Sequence, residues 1–296
     1  MSGPVYSQRP SKDVTRRIFI DLLHRLNKVT DLSEYQYVGF GALEFVDFDL
    51  VHRHLGLDRL VSIEKDPNLI RYEENKPYQS IELIGGQSSD VLAEIDWSGL
   101  NIVWLDYECS LIEPVFNDIS YLCSKLVPGS VLAVTLHAQA GPLGGRRDRF
   151  AKNVGEHRVP AKVDDDTLGE WGWAEAQQRL IFSTIRNRLG KRVDQASWRQ
   201  LLNVQYRDSA RMQLIAGIVD TPGMKSLLDS CGFDKMEHTR SGPEALKIEV
   251  PYLTPLEQSI LRRQLPRRSR QRQAKLAGVS AEDVKAFSDF YQWIGA

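Results

Sequence analysis

The chain has 296 residues and a formal net charge of −1 at neutral pH, long enough to bury one large core and too nearly neutral to steer an anionic polymer by its overall field. Hydrophobic residues at 42% and charged residues at 26% exclude a disordered or fibrous chain. Three cysteines, Cys109, Cys123 and Cys231, with no CxxC pair, argue against a disulfide framework or a structural zinc site.

The opening residues 1–17 are polar and basic, without the apolar core of an export signal, and no run of about 18 apolar residues marks a membrane span. The expected compartment is the cytoplasm, with no membrane partner. From residue 13 to 29, Val14, Ile18, Leu22 and Leu26 recur at helical spacing behind Asp13 as the expected N-cap. Residues 1–33 therefore form an N-terminal helical segment. Strand-like and helix-like segments then alternate: YQYVGFG, LEFVDFDLVHRHLG, RLVSIEKD, PNLIRYEENK, SIELIGG, SSDVLAEID, LNIVWLDYE, EPVFNDISYLCSKL and SVLAVTLHA. Short apolar strands separated by helices predict a parallel sheet covered on both faces, because each parallel connection needs a crossover. The fold class is α/β, a doubly wound, mostly parallel Rossmann-like sheet with its core in residues 34–138.

Residues 139–210 open with a stretch rich in glycine, charge and turn formers, which reads as a long insertion and a candidate substrate lid. Helical character returns at WAEAQQRLIFSTIRNRL and again at SWRQLLN, and LLNVQYRD with RMQLIAGIV predicts a strand pair giving the sheet an antiparallel edge. Residues 211–253 complete the sheet, with a short helix over 223–231 and a last extended segment, EALKIEVPYL. Residues 254–296 form a basic helical C-terminal extension. Thr254, three residues before Glu257 and followed by Pro255, predicts a capping box, and the tail from Ser280 predicts a final amphipathic helix.

The first strand runs into Gly39-Phe40-Gly41, a turn that lets the backbone pass close to a bulky ligand and, alone, is equally a tight strand-to-helix connection. Glu64 ends the second strand about two dozen residues later, where an acidic side chain accepts from ribose hydroxyls in this architecture; the plainer role is a helix cap. Gln87 and Ser88 end the third strand and can meet an adenine edge, although Ser88 or Ser89 serves equally as a helix cap. The fourth strand delivers Asp106, Tyr107 and Glu108 at its carboxyl end, where open α/β sheets bind ligands. Asp106 is the candidate general base or acceptor holder, and Tyr107 the residue that stacks on or orients the acceptor. Asp106 and Glu108 point to opposite faces and make a poor cation pair, so no metal is expected. His137, ending the fifth strand, is more readily a packed or solvent-bonded residue than a base.

Taken in order and spacing, YVGFGA, VSIEKDP, GGQSSDVL, IVWLDYE and LVPGSVLAVT resemble the class I S-adenosylmethionine-dependent methyltransferases. More narrowly, YVGFGALEFVDF, NIVWLDYE and IEVPYLTPLEQ are similar to a bacterial group labelled "putative O-methyltransferases". The resemblance implies S-adenosylmethionine as cofactor, bound by Gly39, Gly41, Glu64, Gln87 and Ser88. It also implies methyl transfer to an oxygen or nitrogen acceptor, with Asp106 and Tyr107 facing that acceptor; no motif names it. One departure stands out: the acidic residue usual before the glycines is missing, Tyr37-Val38 standing there instead. Its role at the methionine end would pass to another residue, with Glu44 and Asp47 as candidates. The departure keeps open a second class of function, a non-catalytic module of the same fold that binds nucleic acid or a protein partner through basic patches. Those patches are Arg146, Arg147, Arg149 and Lys152, and a run of Arg262, Arg263, Arg267, Arg268, Arg270, Arg272 and Lys275. An NAD-dependent oxidoreductase is disfavoured because a full GxGxxG is absent.

Overall fold

A computed structural model of the chain describes residues 9–266 and 274–295. The opening residues 1–8 and four arginines of the basic run, Arg267, Arg268, Arg270 and Arg272, lie outside the described residues.

The first helix, α1 (Pro10–Leu23), buries Val14, Ile18, Phe19, Leu22 and Leu23 and ends in a tighter 3-10 turn over His24–Lys28. It starts earlier than the apolar spacing predicts, because its cap is not local. Asp13 lies inside the first turn and pairs with Arg17. The helix N-terminus is instead satisfied by Asp208, almost two hundred residues on, whose two carboxylate oxygens accept from the Ser11 and Lys12 N–H groups at 2.9 and 3.0 Å. Ser11 adds to the staple, donating to the Arg207 carbonyl and accepting from the Val250 N–H. Two orphan helix donors and the positive end of the helix dipole thus rest on one acid. Asp208→Ala is expected to lower stability by about 1–2 kcal/mol, read from urea unfolding; an unchanged midpoint would show that the cap contributes nothing.

Strands and helices then alternate: β1 (Gln36–Gly39), α2 (Val46–Leu55), β2 (Arg59–Glu64), α3 (Leu69–Asn75), β3 (Ile81–Gly85), α4 (Ser88–Val91), β4 (Asn101–Asp106), α5 (Glu113–Lys125) and β5 (Val131–His137). After α6 (Arg146–Val154) and α7 (Gly172–Leu189) come β6 (Ser197–Arg207), β7 (Arg211–Asp220), α8 (Lys225–Ser230) and β8 (Leu246–Ile248). The eight strands form one sheet in the order β3-β2-β1-β4-β5-β7-β6-β8. The first five in that order run parallel, β7 is antiparallel to both β5 and β6, and β8 runs parallel to β6. The doubly wound α/β expectation with an antiparallel edge therefore holds. Strands β4 and β5 are buried along nearly their whole length, as strands covered on both faces must be. One apolar layer joins α1 and α2 to the sheet, and the other joins α5 and α7.

One element differs from expectation. SWRQLLN is not helical; it begins β6, with a bulge between Gln200 and Leu202. Its polar residues find distant partners: Arg199 pairs with Asp220 and Asp229, and Gln200 bonds Gln178 and the Arg240 carbonyl. Tertiary pairing has overridden the local pattern.

At the C-terminus the capping box is present, Thr254 accepting from the Glu257 N–H at 3.3 Å while Glu257 accepts from the Thr254 N–H at 2.7 Å, and it opens α9 (Pro255–Arg262). Ser280 caps α10 (Ala281–Phe290). Among the described residues no helix is long and apolar enough to cross a membrane. The strand order reverses at β1, with β2 on one side and β4 on the other, so the crevice for a ligand lies at the carboxyl ends of these strands.

Candidate functional site

At the tip of β1 the two glycines are fixed by close approach. A Cβ on Gly39 would lie 2.9 Å from the Tyr37 hydroxyl and 3.1 Å from the Trp104 carbonyl, and one on Gly41 would lie 2.5 Å from the Phe45 ring and 2.6 Å from the Ser62 hydroxyl. Beyond Gly41 the chain turns through two left-handed residues, Ala42 (φ 50°) and Phe45 (φ 46°). That conformation is uncommon for any residue but glycine, and it clusters at functional turns. It returns the Phe45 ring to the core and opens α2.

Glu64, at the tip of β2, holds this turn. Its Oε1 accepts from the Gly41 N–H at 2.9 Å and from the Ser62 hydroxyl at 2.7 Å. Burial pushes its pKa above the ordinary glutamate value, against bonds from Ser62, Gly41 and Ala42 that pull it down. A carboxylate offers about four lone-pair sites on two oxygens; the Ser62 and Gly41 bonds fall on Oε1, and with the Ala42 bond counted the group keeps acceptor capacity for a ligand hydroxyl. A turn with no side chain at Gly39 and Gly41 beside such a carboxylate fits a ribose.

The tips of β3 and β4 meet on an acid that sequence reasoning missed. Ser88 and Tyr107 donate to the same Asp118 oxygen, at 2.5 and 2.6 Å. Burial raises the Asp118 pKa while the two hydroxyls lower it; burial, then Asp118, raises that of Tyr107. The Tyr107 hydroxyl is thereby committed to α5, while its ring meets Phe40 edge-on with centroids 5.3 Å apart. The only sequence signal was an aspartate within the apolar stripe formed by Val115, Ile119 and Leu122. Gln87 precedes α4 with an exposed side chain that caps nothing.

Asp106 lies at the end of β4, where its carboxylate pairs with the Lys12 ammonium of α1. One turn further along α1, Arg16 pairs with Asp47 of α2, Nε to Oδ1 at 2.6 Å. Of the two acids expected near the turn, Asp47 is buried and Glu44 is exposed. Lys12 and Arg16 were invisible as site residues; their only sequence trace is a pair of cations four residues apart on the buried side of an amphipathic helix. Glu108 is exposed and pairs with Lys65 at 3.7 Å. The His137 backbone carbonyl accepts from Ser110 and Gln177. Among the described residues, no cluster of His, Cys, Asp or Glu is grouped to hold a metal ion.

The first basic patch is turned inward. Arg146 donates to the Gly141 and Asp165 carbonyls, Arg149 to those of Pro142 and Gly144, and Arg147 pairs with Glu156. Three guanidinium groups thus hold their own segment together, leaving Lys152 exposed. In the second run, Arg262 donates to the Ile294 carbonyl and lies over the Phe287 ring.

Among solved structures, the chain is similar to the N-methyltransferase NodS from Bradyrhizobium japonicum in complex with S-adenosyl-l-homocysteine, with 15% identity, a TM-score of 0.39, and coverage of 70% of this chain and 87% of that one. An O-methyltransferase family protein from Burkholderia thailandensis has 12% identity and a TM-score of 0.37 over 70% of this chain and 60% of that one. A mutant of MtNAS has 11% identity and a TM-score of 0.36 over 70% and 61%. The chain thus spans less than two thirds of the last two. No curated protein matches the sequence. The family model described as "Putative O-methyltransferase" matches residues 4–294, almost the whole chain, and the protein belongs to that family.

Proposed function

We propose that the protein transfers a methyl group from S-adenosylmethionine to an acceptor oxygen, or to a nitrogen, across the carboxyl ends of β1, β2, β3 and β4. The observation that carries this reading is the buried Glu64, tied through Oε1 to the glycine turn, in a member of an O-methyltransferase family. When bound, the cofactor supplies an electrophilic methyl group, so the protein's task is alignment and, where required, proton removal. Gly39 and Gly41 admit the ligand, Glu64 accepts from the ribose hydroxyls, and Gln87 and Ser88 border the adenine. Asp106, paired with Lys12, faces the acceptor and takes or holds its proton. Tyr107, its hydroxyl spent on Asp118, orients the acceptor with its ring. The excursion after β5, which leaves the sheet at its carboxyl edge, covers the acceptor side as a lid.

Calorimetric titration of the full chain with S-adenosylmethionine and S-adenosylhomocysteine tests this. Micromolar binding of both is expected. Absence of heat at millimolar ligand would sink the proposal, whatever the fold.

A further inference from the structure

The antiparallel part of the sheet ends in a pair of arginines. The β6–β7 hairpin sets Arg207 directly opposite Arg211 in register, at the carboxyl edge, where the Arg211 carbonyl accepts from the Ala138 N–H just beyond β5. Directly opposite residues project to the same face, with Cβ atoms about 4.5–5.5 Å apart. That face is the one covered by α5 and α7. Ile215 and Val219 of β7 pack in that layer, whereas the alternate residues Leu214, Ala216 and Ile218 pack in the layer of α1 and α2. Arg207 is exposed and Arg211 half-buried. Like charges so placed oppose the pairing of their strands.

Among the described residues neither guanidinium has an ion pair or a hydrogen bond. Asp208, the acid between them in sequence, is committed to the N-terminus of α1. Arg211 does meet the excursion after β5: its Cζ lies 5.5 Å from the centre of the Trp171 ring, a contact that orients the side chain and leaves its N–H fork unspent. One rung further into the sheet, on the same face, Gln205 stands opposite Gln213. Both are almost wholly buried, and Gln213 donates to the Asn203 amide oxygen at 3.0 Å. The amide oxygens of Gln205 and Gln213 themselves lack a hydrogen-bond partner among the described residues, although buried acceptors normally find one. Two unspent cations beside two unspent acceptors make a polar surface that the fold does not satisfy by itself.

Resting on the methyl-transfer reading above, we infer that Arg207 and Arg211 form the subsite for an oxyanion, a carboxylate or a phosphate, carried by the methyl acceptor. Arginine meets such groups with two parallel N–H bonds. The position suits the acceptor and not the cofactor, because β7 and β6 lie beyond β4 and β5, on the opposite side of the sheet from β2 and β3. Tyr107 follows the register pair Asp106–Thr135 and bonds Asp118 of α5, so it shares a face with the arginines. Two strand spacings separate β4 from β7, about 10 Å. An acceptor with its reacting atom at Tyr107 can therefore extend an acid group to the hairpin, and the Arg211–Trp171 contact ties that end of the site to the excursion that covers it.

The probe is inorganic phosphate, titrated into the full chain at constant ionic strength while the arginine Nε–H signals are followed by NMR, Arg207→Gln and Arg211→Gln providing the assignments. Both signals are expected to shift with a millimolar Kd. Each substitution is expected to weaken phosphate binding about tenfold, the loss of one charge-assisted contact. Lys152→Gln, which removes an exposed cation of α6, is expected to change it less than about twofold. Neither arginine substitution should lower the urea midpoint, because each relieves a like-charge opposition. Acetate titrated in the same way shows which oxyanion the pair prefers. S-adenosylhomocysteine is expected to leave phosphate in place and to bind the intact chain and the variants within about threefold of one another. No shift of either signal up to about 0.1 M phosphate, or an equal loss in Lys152→Gln, overturns the anion site and leaves the methyl-transfer reading standing. Displacement of phosphate by S-adenosylhomocysteine would put the anion in the cofactor crevice and overturn the assignment to the acceptor. A chain that binds phosphate but not S-adenosylhomocysteine overturns the methyl-transfer reading, and the acceptor role with it.

Discussion

Asp47→Ala is expected to destabilise the protein by about 3–5 kcal/mol, the usual consequence of leaving one member of a buried ion pair without its partner. Burial works against the Arg16 charge, and the adjacent Asp47 more than offsets it, holding the guanidinium pKa above its ordinary range. Removing Asp47 leaves that cation in a nearly closed space between α1 and α2. The double variant Arg16→Met with Asp47→Leu should cost far less, because apolar side chains of similar volume avoid both desolvation penalties. Urea unfolding of the two single variants and the double variant gives the coupling energy directly. Additive single costs would mean that the pair is not a unit. A large coupling with little net cost in the double variant would mean that the pair persists for a reason other than stability.

What the sequence made legible was local. The alternation of β1 to β5 with helices could be read because strands buried on both faces are continuous apolar runs, VGFG, LVSIE, IVWLD and VLAVTL among them. The placement of Gly39 and Gly41 at the tip of β1 and of Glu64 at the tip of β2 could be read because a turn and a strand end are set within a few residues. What could not be read depends on partners brought together by the fold. Lys12 and Asp106 are 94 residues apart, Arg16 and Asp47 are 31 apart, and no window joins them. Arg199 and Gln200 look like the polar face of a helix until Asp220, Asp229 and Gln178 are found beside them. The same applies to Tyr107: its place at the end of β4 was evident, but the direction of its hydroxyl was set by Asp118 on the next helix. Nor does a cluster of arginines reveal which way it faces, and Arg146 and Arg149 face their own loop.

Glu64→Gln is expected to lower the affinity for S-adenosylhomocysteine by about 100-fold, roughly 2.8 kcal/mol, without lowering stability at neutral pH. The two effects have separate origins. A carboxylate can accept from both hydroxyls of a ribose, and hydrogen bonds to a charged acceptor contribute about 1.5–3 kcal/mol each. The glutamine amide keeps one acceptor oxygen, which can satisfy the Gly41 N–H and the Ser62 hydroxyl, and turns a donor toward the diol. For stability, the Glu64 pKa is raised by burial, so the folded chain holds its proton more readily than the unfolded chain. Linkage then makes this group's contribution favourable below the unfolded pKa, and that advantage is lost as pH rises through the folded value. At neutral pH the ionised carboxylate opposes folding, and glutamine removes that opposition. Urea unfolding from about pH 4 to about pH 7 should therefore show the variant gaining on the parent as pH rises, while titration shows the ligand lost. Unchanged affinity would remove Glu64 from the ribose site. Affinity and neutral-pH stability lost together would make it a prop for the glycine turn, and the ligand contact would have to be sought elsewhere on the carboxyl edge.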